Sequence, residues 1–426
     1  LAAVGLRLGA DRRACHPSGS RLAATAAVAA GAAAVGVLIP ALRKLQLSRS
    51  VPTRPRQAGR ACADGRPRAG FAGLVGNTPL IELKSLSQAT GCRILAKAEF
   101  LNPGGCQKDR AALHIIAAAE SDGLLKPGGT IVEGTSGSTG ISLSLAAAER
   151  GYRVHIVMPD DQAAEKVTLL RRFGAEVELV RPASITSPEH YVNVARRRAA
   201  ELNAQPNSRG AVFSDQFENL ANFRAHYEGT GPEIWAQCGG KLDAFVMSAG
   251  TGGTIAGVGR FLKEVAPDTR ICLADVPGSS LYNKVAHGVL YATEQAEQSI
   301  RRHRTDTIAE GIGIDRLTAN FARGLPEHNG GCSGIDDAFS VSDQEALDMA
   351  HYLLAHEGIF VGSSAAVNCA GAVKAARRLG PGRAVVTVLC DNGLRHLTKF
   401  YNPAAWPDFG LAPPQEHAKH DLSFVS

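Results

Sequence analysis

Aromatic residues make up only 5% of this 426-residue chain, with two Trp, and charged residues only 20%. The formal net charge of +6 is confined to one end. Residues 1–70 carry 12 Lys/Arg against Asp11 and Asp64, which leaves 34 basic against 38 acidic residues for everything after them. A mildly acidic body poor in aromatics lacks the basic, aromatic-interleaved surface that nucleic acid requires, so no nucleic-acid partner is expected. The nine Cys include no Cys-x-x-Cys pair and no Cys/His cluster with zinc-like spacing, and their number is odd. This argues against a bound metal and against a disulfide framework, and for reduced thiols in an intracellular compartment. No repeat of fixed period and no low-complexity tract occurs outside the N-terminal segment, which removes solenoid architectures. What remains is 45% hydrophobic residues, enough for one large or two medium globular domains.

The N-terminal segment holds an uncharged run from Leu22 to Ile39, rich in Ala, Gly and Val, with Arg12, Arg13 and Arg21 before it and Arg43 and Lys44 after. Its 18 residues sit at the lower edge of a membrane span, and we read it as a membrane anchor. The Arg-rich, acid-poor flanks also suit a mitochondrial transit segment, the alternative; a secretory signal ranks third, because the apolar run is long and the Cys pattern is not that of a secreted protein. Residues 45–69, rich in Arg and Pro and without apolar periodicity, read as a flexible tether, so 1–69 form leader and linker.

After residue 70, short β-rich runs alternate with longer helical stretches, the pattern of parallel sheets flanked by helices. Strands are predicted at Arg93–Ala98, Thr130–Val132, Val154–Met158, Glu176–Val180, Ala244–Met247, Ile271–Ala274 and Ala384–Leu389. Helices are predicted at Asp109–Ser121, Gly140–Arg150, Ala164–Phe173, Ile255–Val265 and Ala365–Leu379. In such an α/β fold function gathers in loops at the carboxyl ends of the strands.

Three of these loops carry chemistry. Asn102-Pro103-Gly104-Gly105-Cys106-Gln107-Lys108-Asp109-Arg110 runs from a strand into a helix, so Lys108 projects beside a helix start. Positive backbone N–H groups and partial desolvation disfavour its ammonium form and allow condensation with an aldehyde, although a lysine at a helix start is by itself usually a solvated surface residue. Cys106, two residues earlier, reads as a small buried side chain. Thr135-Ser136-Gly137-Ser138-Thr139-Gly140 offers hydroxyls and free amides to a carboxylate or other anion, against the bland reading of a capped strand-to-helix turn. Gly250-Thr251-Gly252-Gly253-Thr254 is a phosphate cradle in kind. It is not a Walker loop, since no Gly-Lys-Ser/Thr follows, and Ile255 stands where a dinucleotide fingerprint needs its last glycine.

Together these loops resemble the cysteine synthase and cystathionine β-synthase group of fold-type II pyridoxal-phosphate (PLP) enzymes, over roughly residues 70–400. The match begins at Gly76-Asn77-Thr78-Pro79-Leu80 and continues through the three loops and Gln216-Phe217 with Asn219 and Asn222. It extends through His226-Tyr227, Thr230-Gly231-Pro232-Glu233-Ile234-Trp235, Glu310-Gly311-Ile312-Gly313, Gly362-Ser363-Ser364 and Asp391-Asn392-Gly393. With its apolar leader the chain is similar to the mitochondrial, membrane-associated cysteine synthase-like proteins of fungi.

The resemblance implies a tryptophan synthase β-like fold of two α/β domains, placed at about 70–220 and 221–412 with a tail at 413–426, and a homodimer. It implies that Lys108 carries PLP covalently and then shuttles the substrate Cα proton. Gly250, Thr251, Gly252, Gly253 and Thr254 would hold the cofactor phosphate, and Ser138 would approach its ring. Ser364 would face the pyridine nitrogen, where a hydroxyl tempers the electron sink. Thr135, Ser136, Gly137, Thr139 and Gln216 would bind the substrate carboxylate. The implied reaction is β-replacement, in which O-acetyl-L-serine loses acetate and takes up sulfide at Cβ to give L-cysteine.

Two departures bear on reaction preference: Ser138 replaces the family's usual Asn, and Cys390-Asp391-Asn392-Gly393 replaces Pro-Asp-Ser-Gly. The rivals are a cysteine desulfhydrase, a serine-utilising β-synthase and, outside enzymes, an inactive PLP-fold scaffold at a membrane. A dehydratase is disfavoured because the substrate loop is not of the Ser-x-Gly-Asn-His type. The expected location is mitochondrial, anchored in the outer membrane, or the matrix after leader cleavage. His155 and His226-Tyr227 read as structural, Asp391 as a brace for the cofactor pocket, and Arg301-Arg302-His303-Arg304 as a solvated segment.

Overall fold

Short, almost wholly apolar strands dictate sheets buried on both faces, the condition under which parallel strands occur. The computed structural model describes residues 68–292, 307–328 and 334–426. The Leu22–Ile39 run, nearly all of the 45–69 tether and the Arg301–Arg304 run lie outside the described residues. Among the described residues no helix is long and apolar enough to cross a membrane.

The described residues hold ten strands: β1 Leu80–Glu82, β2 Arg93–Ala98, β3 Thr130–Gly134, β4 Arg153–Pro159, β5 Glu176–Val180, β6 Ala211–Phe213, β7 Ala244–Met247, β8 Arg270–Asp275, β9 Asp337–Ser340 and β10 Ala384–Leu389. They form a four-stranded sheet in the order β5-β4-β3-β6 and a six-stranded sheet in the order β1-β2-β10-β7-β8-β9. The smaller sheet is parallel throughout, and in the larger only β1 runs antiparallel to its neighbour.

β2 pairs with β10 in the larger sheet and β1 with β2, so the segment 80–98 joins the sheet built from the later strands. The crossing segment pairs with strands nearly 300 residues away because Ile94, Leu95 and Ala96 are buried against that core. The tail at 413–426 is also packed: Leu422 and Val425 are buried, and Arg377 Nη2 donates to the Leu422 carbonyl at 2.8 Å.

The predicted helices are all present, but most begin a residue or two early. The helix read from Asp109 starts at Lys108, that from Gly140 at Ser138, that from Ile255 at Gly253 and that from Ala365 at Ser363. Lys108, Ser138, Thr139, Gly253, Thr254 and Ser364 therefore occupy first helical turns, where backbone N–H groups have no intrahelical acceptor.

Candidate active site

The carboxyl ends of β2, β3, β7 and β10 lead into the segments 99–108, 135–139, 248–254 and 390–391. Residues of all four line one cavity of about 320 Å³, within the range of small-molecule sites. Lys108, Ser138, Gly253 and Ser363 open four helices around it, so the cavity sits in a field of helix N-termini that favours anionic groups.

The Lys108 loop is held from both ends. Gly105 N donates to Asn102 O at 2.7 Å in a turn that Gly105 makes with φ +78°. Asp109 accepts from Gly104 N at 2.6 Å and from the Ser142 hydroxyl at 2.5 Å, and Arg395 donates to the Gly104 carbonyl. Burial raises the Asp109 carboxyl to about 6. Beneath the loop lies a buried charge network. Arg110 Nε donates to Glu99 Oε2 at 2.7 Å and its Nη1 to Glu233 Oε1 at 2.7 Å, while Lys97 Nζ meets Glu233 Oε2 at 2.7 Å. Against desolvation, which pushes them up, Arg110 holds the Glu99 and Glu233 carboxyls below the usual range. The Gly76–Leu80 motif docks here: Thr78 Oγ1 donates to Glu99 at 2.6 Å and Asn77 N to Glu233 at 3.0 Å. Two cations thus balance two carboxylates, the condition for burying charge.

Gln107, with its carboxamide nitrogen on Cys390 O, accepts from Lys108 Nζ at 3.2 Å. Cys106 is buried and its thiol pushed up by that burial, consistent with a packing role.

In the second loop Thr135, Ser136, Ser138 and Thr139 line the cavity together with Gln216. Thr139 Oγ1 donates to Gln216 Oε1 at 2.5 Å. Gly137 lies behind the lining: its φ is +126°, its amide donates to Thr135 Oγ1 at 3.1 Å, and a Cβ there would meet the Lys166 stem at 2.7 Å. Its place in the site is to make the turn.

In the third loop Gly250, Thr251, Gly252 and Thr254 line the cavity, while Gly253 packs behind against Asn222. Asn222 Nδ2 donates to Thr251 Oγ1 at 2.9 Å, and Thr254 Oγ1 lies 3.2 Å from His226 Nε2. His226 Nδ1 lies 2.9 Å from Thr230 Oγ1, and burial holds this histidine well below its usual pKa, so it is a neutral ring between two hydroxyls. The sequence reading of His226 as a packing and hydrogen-bonding residue named no partner, because Thr254 lies 28 residues away.

Ser364 lines the cavity beside Cys390, whose thiol burial pushes up to about 12. Asp391 is indeed a brace: its Oδ2 lies 3.0 Å from His396 Nε2, His396 Nδ1 lies 3.2 Å from Glu310, and Lys166 Nζ meets Glu310 at 2.6 Å. Against desolvation, the Lys166 charge and then His396 hold Glu310 well below the usual carboxylate range, and Asp391 in turn raises His396. This network joins the helix Ala164–Arg172 beside the smaller sheet to the Glu310–Gly313 segment and the 390–396 segment. Lys166, His396 and Glu133 were not singled out from sequence; a charged residue inside a buried run such as Thr130-Ile131-Val132-Glu133 was the available signal for the last. His155 is structural, flanked by Glu178 at 3.2 Å and Glu176 at 3.3 Å.

The chain belongs to the fold-type II PLP enzymes, the family profile described as "Pyridoxal-phosphate dependent enzyme" matching residues 71–391. "Cysteine synthase 2" of Schizosaccharomyces pombe is 52% identical over 336 residues, covering 78% of this chain and 83% of that protein. "Putative mitochondrial cysteine synthase" of Saccharomyces cerevisiae is 48% identical over 342 residues, 80% of this chain and 85% of that protein. A crystal structure of an O-ureido-L-serine-bound mutant of O-ureido-L-serine synthase superposes with a TM-score of 0.66 at 31% identity, covering 79% of this chain and 94% of that one.

The cavity suits the PLP of this family. It combines a primary amine, a glycine-rich helix start and hydroxyls, and Ser248 Oγ is buried there without a protein partner. Gly252 tests the cradle directly, because at φ +79° an added Cβ would lie 2.4 Å from Phe321 Cβ and 2.6 Å from its Cα. Gly252→Ala is expected to cost about 1–3 kcal/mol of local strain, which is roughly 5- to 150-fold in cofactor retention measured by equilibrium dialysis. Retention equal to the parent would remove this loop from the phosphate site.

Proposed function

We infer that this chain is a PLP-dependent cysteine synthase that makes L-cysteine and acetate from O-acetyl-L-serine and sulfide by β-replacement. The observation that carries the reading is the convergence of Lys108, the Thr135–Thr139 turn, the Gly250–Thr254 turn and Ser364 on one cavity. The curated relatives named as cysteine synthases support the substrate assignment.

The Gly250–Thr254 turn, with the first amides of the Gly253–Val265 helix, would hold the cofactor phosphate; Lys108 would anchor the cofactor, Ser138 would approach its ring and Ser364 its pyridine nitrogen. Bound there, PLP supplies an electron sink for the pair left at the substrate Cα. Lys108 Nζ takes and returns the Cα proton as general base and acid. Thr135, Ser136 and Thr139 with Gln216 receive the carboxylate, and Gly137 shapes that turn. Cys390 and Cys106, kept as neutral thiols by burial, do not compete with sulfide as nucleophiles.

We further propose a homodimer, by family resemblance, and a mitochondrial location with membrane anchoring through residues 22–39 at the outer membrane. The basic, acid-poor leader supports that location, as does the name of the yeast relative. The test of the activity is to follow the visible absorbance of the cofactor in the purified full chain while O-acetylserine and then sulfide are added. A spectral change on the first addition, reversed by the second with cysteine formed, is the expected result. A band indifferent to O-acetylserine, with sulfide released from cysteine, would make the protein a desulfhydrase, and absence of any band would make it a scaffold.

A further inference from the structure

We propose that Glu133 is a positioning residue of the carboxylate site, carried as the neutral acid, and that its ionisation turns the site against the amino-acid substrate. The proposal rests on the reading of Gln216 as a carboxylate-binding residue.

Glu133 stands near the carboxyl end of β3, is fully buried, and forms no ion pair among the described residues. Gln216 N donates to its Oε2 at 3.2 Å and Gln216 Nε2 to its Oε1 at 3.3 Å. The same Nε2 donates to the Gly134 carbonyl at 3.1 Å, and Gln216 Oε1 accepts from Thr139 Oγ1 at 2.5 Å. The carboxamide is therefore fixed on both sides, and Glu133 supplies one of them without itself lining the cavity.

The hydroxyl of Ser214 accommodates the neutral acid. Its Oγ lies 2.5 Å from Glu133 Oε2 and 3.2 Å from the Val132 carbonyl. A hydroxyl has one hydrogen, and a carbonyl can only accept. A proton on Glu133 Oε2 satisfies all three groups, since Glu133 donates to Ser214 and Ser214 to Val132. An ionised Glu133 would take the Ser214 hydrogen, leaving the Val132 carbonyl only the Ser214 N–H at 3.0 Å, and would place an anion without a cation partner behind the residue that receives the substrate's anion.

The surrounding charges favour the neutral form. Burial pushes the carboxyl up to about 8, against the lowering by Ser214 and Gln216 hydrogen bonds, and Asp215 adds to the rise. Asp215 follows β6 and has Arg196, of the helix Tyr191–Ala204, 3.6 Å away. His155 on β4 is occupied by Glu176 and Glu178, and His190 at the head of the Tyr191–Ala204 helix accepts from Val192 N at 3.3 Å. The first turns of the helix Ser138–Arg150 bring only Thr139, Ser142 and Ser144.

The test is the pH dependence of KM for O-acetylserine in wild type and Glu133→Gln, whose carboxamide donates to Ser214 as the neutral acid does. In wild type KM is expected to rise about tenfold between pH 7 and 9, because one unit above the midpoint only about a tenth of the sites remain competent. All other ionisable groups are common to both proteins, so the difference between the two profiles isolates Glu133. The component lost in Glu133→Gln should lie in KM, with kcat changing by less. An identical rise in both proteins would overturn the proposal. Infrared titration of wild type is the second measurement. A protonated-carboxyl band that disappears with the same midpoint supports the neutral acid, and no carboxyl titrating above pH 7 refutes it even if the variant does not fold. Failure of wild type to turn over O-acetylserine at any pH would instead sink the cysteine synthase reading.

Discussion

Lys108→Ala is expected to lower kcat/KM for O-acetylserine by at least about 10³-fold, since it removes the proton shuttle at Cα and the covalent anchor together. Three lysines line the cavity, and their surroundings separate them. Lys166 is committed to Glu310 at 2.6 Å, and Lys399 lies 5.5 Å over the Phe409 ring at the mouth. Among the described residues Lys108 forms no ion pair; its Nζ meets only the neutral carboxamide of Gln107, so its amine is the one placed for a carbonyl carbon. Borohydride reduction of the loaded wild type followed by peptide mapping should recover the cofactor on Lys108. An adduct on Lys166 or Lys399, or a variant with near-parental turnover, would overturn the assignment.

The second large effect is on stability. Arg110→Ala leaves Glu99 and Glu233 buried and facing each other across the vacated site with only Lys97 to balance them, and breaking such a network costs about 3–5 kcal/mol. The loss should appear as a lower denaturant midpoint. Arg110→Lys should recover little of it, because one ammonium cannot reproduce donors that reach Glu99 Oε1 and Oε2 and Glu233 Oε1 and Oε2 together. Cofactor retention should fall with stability, since the same network anchors Gly76–Leu80 and the base of the Lys108 loop. A change below about 1 kcal/mol would mean that the network contributes no more than a surface ion pair.

The three turns that line the cavity were legible because each is a local device. A run such as Gly250-Thr251-Gly252-Gly253-Thr254 makes its turn and frees its amides with no help from distant residues. Strands of four or more residues such as β2, β4 and β7 were legible for the same reason, while β1 and β6, of three residues, are too short to show a period. The register of first turns was missed by one or two residues because Lys108, Ser138 and Gly253 have no side-chain cap to announce them. Glu133 with Gln216, Thr254 with His226, and Lys166 with Glu310 are separated by 83, 28 and 144 residues, and no spacing rule reaches that far.

The amino-acid sequence by itself determined the fold class and the glycine- and hydroxyl-rich turns that line the cavity with Lys108, because hydrophobic period and turn chemistry act over a few neighbouring residues. Only the tertiary structure decided that β1 and β2 leave the N-terminal segment for the larger sheet, and that two sheets aim their carboxyl ends at one cavity. It also decided which buried carboxyls are paired, as Glu99, Glu233 and Glu310 are, and which, like Glu133, have no cation partner among the described residues. Those outcomes depend on desolvation and Coulomb energy, which are set by distance in space and not by distance along the chain.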